Sequence, residues 1–112
     1  MEDHRPWGSY RVIAEEKDNK VKKITVYPGK RLSLQRHRHR AEHWYILKGE
    51  ATVDLDNKKF FLKTSDSIDI PVLSLHRIEN PCRDNLEFIE IQTGDYLEED
   101  DIERFEDDFG RV

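Results

Sequence analysis

With 112 residues and 13.4 kDa, the chain has room for one domain with a single modest core. Aromatic residues at 10% are too many for a disordered chain, even with charged residues at 38%. A net charge of −5, from 19 Lys+Arg and 24 Asp+Glu, argues against a binder of nucleic-acid backbone, and no apolar run approaches the length of a membrane-spanning helix.

Met1–Gly8 has no apolar stretch of the signal-peptide kind, so the cytoplasm is the expected location. From there, alternation with period two marks a series of short strands. A strand around Tyr10–Ala14 comes first, then Val21–Val26, with Lys22, Ile24 and Val26 on one face. Pro28-Gly29 makes a turn before Leu32–Gln35. Trp44–Leu47, Ala51–Leu55, Phe60–Leu62 and Ile68–Ile70 follow, with Asp56-Asn57 read as a hairpin turn. Cys82 follows Asn80-Pro81 in a turn and has no second cysteine to pair with, which fits a reduced compartment. A last strand is expected over Phe88–Ile91, and a short terminal helix over Glu98–Phe105, where Ile102 and Phe105 stand at i, i+3. Strands this short and evenly spaced predict an all-β antiparallel sandwich or barrel.

Charge is uneven along the chain. The segment from Asp95 to Val112 is strongly acidic, whereas Lys30, Arg31, Arg36, Arg38 and Arg40 crowd into one stretch with His37 and His39. A basic, His-rich stretch in an acidic protein predicts a local anion site. Residues two apart on a strand share a face, so Gln35 and His37 point the same way. With Glu42 and His76 they would offer two imidazoles, a carboxylate and an amide oxygen, a donor set suited to a divalent transition metal. Spacing alone does not gather these residues, and His39 shares the phase of His37.

A known pattern does gather them. Gly29-x5-Gln35-x-His37-x4-Glu42-x6-Gly49 resembles the first cupin motif, with Gln35 where a histidine usually stands. Pro71, His76 and Asn80 fit the second motif, whose two glycine positions hold Ser65 and Leu73 here, a departure at the turn before His76. Arg5-Pro-Trp-Gly-Ser-Tyr10, Leu32-Ser-Leu-Gln35, Arg40-Ala-Glu-His-Trp44, His76-Arg-Ile-Glu-Asn-Pro81, Glu87–Tyr96 and the acidic run ending Asp108-Phe-Gly-Arg111 narrow the match further. In this combination they resemble the type II mannose-6-phosphate isomerase domain, over about Arg5 to Arg111. In that family the domain usually follows a guanylyltransferase domain; this chain resembles the isomerase part standing alone.

The resemblance implies a single cupin domain over residues 1–112, a double-stranded β-helix or jelly roll, with its two motifs at about 29–49 and 65–80. It implies one divalent ion (Zn, Mn, Co, Fe or Ni) on Gln35, His37, Glu42 and His76, and conversion of mannose 6-phosphate to fructose 6-phosphate through an enediol. That chemistry needs a proton-transferring group within reach of C1 and C2. Glu90, on an inward phase of the last strand, and His43, beside Glu42, are the candidates. The phosphate would be gripped by arginine, whose planar fork matches it. Arg40 and Arg77 rank first, Arg77 also as a catalytic cation, with Lys30 and Arg31 next. Rival readings are a metal-holding cupin that binds a sugar or sugar phosphate without turnover, and an Fe(II) dioxygenase. A homodimer is expected through the strand at Tyr10–Ala14, with a small-molecule sugar phosphate as ligand and neither nucleic acid nor membrane as partner.

Overall fold

The computed structural model describes residues 2–112, in which eleven strands form two antiparallel sheets and no helix occurs. The strands are β1 (Glu2–Arg5), β2 (Gly8–Glu15), β3 (Asn19–Val26), β4 (Leu34–Arg36), β5 (Arg40–Lys48) and β6 (Glu50–Leu55). They continue as β7 (Lys58–Lys63), β8 (Ser67–Ile70), β9 (His76–Glu79), β10 (Leu86–Gly94) and β11 (Glu103–Glu106). One sheet has the order β1-β2-β3-β10-β5-β8 and the other β11-β4-β9-β6-β7. This is the expected all-β jelly roll.

The long strands of the first sheet explain how core and cavity share one interior. Each has a polar and an apolar half on its inward face. On β3, Lys20 and Lys22 precede Ile24 and Val26; on β5, Arg40 and Glu42 precede Trp44 and Ile46; on β10, Leu86 and Phe88 precede Glu90 and Gln92. Strand β10 runs antiparallel to both neighbours, so its reversed gradient brings like halves together. Glu90 lies opposite Lys22 and Trp44, and Gln92 opposite Lys20 and Glu42. One end of the barrel is therefore an apolar plug of Ile24, Val26, Ile46, Leu86 and Phe88, closed from the second sheet by Ala51, Val53 and Ile78. The other end buries charge. Removing the Phe88 side chain from the plug would cost about 3–5 kcal/mol.

The hairpin at Asp56-Asn57 forms as expected: both residues have positive φ, 49° and 67°, as a two-residue turn of this twist requires. The β7–β8 turn and the turn before His76 also survive the loss of the motif glycines. Ser65 and Leu73 themselves adopt the left-handed conformation, with φ of 77° and 69°. The Leu73 N–H donates to the His37 carbonyl at 2.9 Å, so the strained residue ties the two motifs together.

The terminal helix does not form. Glu98–Asp101 turns, and β11 pairs with β4, placing Glu103 opposite Arg36 and Arg104 opposite Gln35. A helix there would have displayed acids almost all round. As a strand, the segment lays them on the basic stretch: Glu103 accepts from Arg36 Nε at 3.2 Å and Arg38 Nε at 2.9 Å, and Asp108 takes both sides of the Arg31 fork at 2.8 and 2.9 Å. Charge complementarity across the sheet edge outweighs the i, i+3 pattern of Ile102 and Phe105.

Candidate active site

The polar end of the barrel encloses a cavity of about 130 Å³ lined by Gln35, His37, Arg40, Glu42 and Glu90. His37, Glu42 and His76 each aim one donor atom at a common point, with those atoms within 4.8 Å of one another. Each imidazole is held by its far nitrogen. His37 Nδ1 donates to the Asp101 carbonyl at 2.7 Å, and His76 Nδ1 to the Ser74 carbonyl at 2.9 Å. Both Nε2 atoms are therefore lone-pair donors facing inward. Burial, and the Arg40 charge after it, pushes His37 down to about 4; burial likewise lowers His76. Neutral imidazole is the form that binds metal.

Whether these residues suit a divalent ion is answered by His76. Its Nε2 is fully buried and has no hydrogen-bond partner, an arrangement that would be costly without a ligand. Gln35, opposite His76 in the β4–β9 pairing, shares that inward face. The donor set of two imidazoles, a carboxylate and an amide fits a borderline-hard divalent ion with open positions.

Two carboxylates meet beside this cluster and have different surroundings. Glu42 accepts from Arg40 Nε at 2.8 Å and Trp44 Nε1 at 2.9 Å. Glu90 shares the same indole N–H at 3.2 Å and accepts from Gln92 Nε2 at 2.8 Å. Burial, and then the Glu42 charge, pushes Glu90 up to about 7. Glu90 can thus exchange a proton near neutrality, while Glu42 beside it is paired with Arg40. Arg40 Nη1 is buried without a partner and faces the cavity, so one donor remains for a substrate oxygen.

The mannose-6-phosphate isomerase C-terminal family matches residues 1–107 of the chain. The chain belongs to this family. Family relatives include the alginate biosynthesis protein AlgA of Pseudomonas aeruginosa, 54% identical over 99% of this chain, and the mannose-1-phosphate guanylyltransferase of Escherichia coli, 48% identical over 99%. The chain spans 23% of the length of either protein. The fold is that of the cupins. The capsular polysaccharide assembling protein CapF of Staphylococcus aureus superposes with a TM-score of 0.85 at 17% identity, covering 95% of this chain and 34% of CapF. KdgF from a Halomonas species superposes with a TM-score of 0.76 at 18% identity, covering 88% and 86%.

Against this family frame, several residues expected in the site lie elsewhere. Arg77 follows His76 on β9, and alternation turns it to the outer face. There its Nε donates to the Leu32 carbonyl at 2.9 Å and its Nη1 to Glu106 at 3.2 Å. No bulge redirects it. His43 is on the outer face of β5, against Asp69 at 2.7 Å, because Glu42 and Trp44 take the inward phase. Arg31 is engaged with Asp108 outside the cavity, and Lys30 is an exposed turn residue. Arg40 is in the site, but on the first position of β5 rather than in a turn. His39, although it shares the phase of His37 on paper, is exposed near Asp95. Sequence reasoning missed Asp101, which holds His37 through its carbonyl and caps the N–H groups of Arg38 and His39 with its carboxylate at 2.9 Å each. Burial pushes that carboxyl up, but the two N–H donors outweigh it and hold it below the ordinary carboxylate range. It also missed Arg104 and Arg111, which line the cavity. Their signal was charge: they are the two basic residues in an otherwise acidic tail.

Proposed function

We propose that the chain is a metal-dependent aldose–ketose isomerase acting on mannose 6-phosphate and fructose 6-phosphate. The observation that carries this reading is Glu90: a buried carboxyl pushed up to about 7, lining the same cavity as His37 and Glu42 of the His37–Glu42–His76 cluster. A divalent ion, when bound there, supplies electrophilic polarisation of the sugar carbonyl. Glu90 takes the proton from one carbon of the C1–C2 pair and returns it to the other; its carboxyl is tuned for both directions. Trp44 Nε1 holds Glu90 and Glu42 at fixed positions, and the free Nη1 of Arg40 donates to a substrate oxygen that gains charge. The isomerase name of the family and the kinship with AlgA support the reading.

A coupled assay with mannose 6-phosphate tests it. Turnover should vanish with a chelator and return with added divalent metal. Glu90→Gln should lower kcat about 10²- to 10⁴-fold with metal content unchanged. A metal-loaded wild-type protein that binds mannose 6-phosphate without turning it over would leave the binding-module reading instead.

A homodimer is part of the same proposal. Among the described residues, strand β1 pairs with β2 from Gly8 to Arg11, and Val12 and Ile13 beyond it are 42% and 52% exposed. An uncovered edge with apolar side chains favours pairing with a second copy. Light scattering at micromolar concentration should give a dimer mass, and Ile13→Lys should give a monomer; a monomeric wild type would contradict it. A reduced cytoplasmic setting is consistent with the unpaired Cys82.

A further inference from the structure

Most arginines of this protein have a carboxylate to answer them. Arg31, Arg36, Arg40, Arg77 and Arg111 each sit within 3.2 Å of an acid. Arg104 differs. It lies opposite Gln35 in the β11–β4 register, and opposed residues share a face, so its guanidinium enters the cavity that holds His37, Glu42 and Glu90. Its Nε is buried without a hydrogen-bond partner. Asp107, the acid whose charge reaches Arg104, is already gripped on both oxygens by Arg111, at 2.7 and 2.9 Å. Arg5 and Arg111 line the same mouth and add like charge rather than relief. Burial, and then the Arg111 charge, lowers Arg104 from its ordinary value.

A planar five-donor cation, partly desolvated and set between two other cations, is completed by an anion with several oxygens. Lys22 holds both oxygens of Glu99 at 2.9 Å, and Arg40 holds Glu42 and keeps only its Nη1 without a partner. The cavity lining therefore has two chemically distinct parts, with His37, Glu42 and Glu90 in one and unanswered guanidinium in the other. We propose that Arg104, with Arg5 and Arg111 beside it, is the phosphate-monoester site, selecting substrates that carry a phosphate at the end away from the reacting carbons. The proposal rests on the isomerase reading for the identity of the sugar, but not for the anion. It replaces Arg77, which is turned away from the cavity.

The test compares wild type with Arg104→Gln and Arg104→Lys, using inorganic phosphate, mannose 6-phosphate and mannose as probes. Phosphate should raise the wild-type melting temperature and leave that of Arg104→Gln unmoved. In phosphate-free buffer Arg104→Gln should melt no lower than wild type, because it removes a half-buried cation that no acid answers. A structural arginine would give the opposite result. By calorimetry, mannose 6-phosphate should bind Arg104→Gln about 10- to 100-fold more weakly, with partial recovery in Arg104→Lys and no change for mannose. Equal phosphate stabilisation of wild type and Arg104→Gln, or unchanged mannose 6-phosphate affinity, overturns the site. The two readings separate cleanly. Arg104-dependent phosphate binding without isomerase turnover keeps the anion site and removes the isomerase. Turnover with an unchanged KM in Arg104→Gln keeps the isomerase and removes the anion site.

Discussion

His37 and Glu90 share one cavity and resist ionisation for the same reason, burial, but with opposite consequences for stability. Between about pH 4 and 6.5 an unfolded His37 holds a proton that the folded one refuses, so this group makes the metal-free protein more stable as pH rises. His76 acts in the same direction. Between about pH 4.5 and 7 a folded Glu90 holds a proton that the unfolded one has released, so it makes the protein less stable as pH rises. The contributions oppose each other across most of that window. In chelator-treated protein, urea unfolding from pH 4.5 to 6.5 should therefore show a shallow rise in stability for wild type and a steeper one for Glu90→Gln. An unchanged slope would remove Glu90 from the balance. The metal cluster gives a second expectation: His37→Ala plus His76→Ala should abolish metal retention in elemental analysis. His37, Glu42 and Glu90 were legible because strand phase is arithmetic: inward residues repeat every second position. The same arithmetic turns Arg77 and His43 outward, as neighbours of inward ligands, so nearness in sequence to a ligand was the misleading signal.

At the scale of the element, β9 and the turn before it show what the second motif's glycines would have supplied. A left-handed backbone costs a residue with a side chain about 1–2 kcal/mol, while glycine loses about 0.5–1 kcal/mol more chain entropy on folding. Leu73 is 52% exposed and has little packing to lose. Leu73→Gly should thus raise stability by about 0.5–1 kcal/mol in urea unfolding without altering metal content; a loss of stability would mean that the Leu73 side chain packs more than its exposure implies. The strands themselves were readable, since β3, β5 and β10 alternate cleanly and Asp56-Asn57 announces its hairpin. Strand β11 was not. Four residues with two half-buried positions carry too little alternation to declare a strand, and only pairing with β4 makes it one. What the chain did display was the charge contrast between Lys30–Arg40 and the tail, which is the physical cause of that pairing.

Across the whole molecule, the tail is a strap over the mouth of the barrel. Glu99 holds Lys22, Asp101 orients His37, Glu103 and Asp108 cover the basic strand, and Arg104 enters the cavity. Asp101→Ala keeps the carbonyl that holds His37 but removes the carboxylate that caps the Arg38 and His39 N–H groups; loosening that turn should lower stability by about 1–3 kcal/mol and weaken metal affinity less than loss of the carbonyl would. Ending the chain after Leu97 should do more: metal retention falls further, and the bared edge of β4 promotes association visible in light scattering. If the shortened protein kept full metal and stayed unassociated, the strap would be decoration. Its position along the chain also sets an order of events. Translation runs from the amino end, so Gln35, His37, Glu42 and His76 all leave the ribosome before the segment that aligns His37 and closes the cavity has been made. Until residues 99–111 emerge, the nascent barrel lacks both the carbonyl that holds His37 and the strand that pairs with the edge of β4. On the proposed metal reading, tight capture of the ion therefore follows the synthesis of residues 99–111 rather than that of the His37–Glu42–His76 cluster itself.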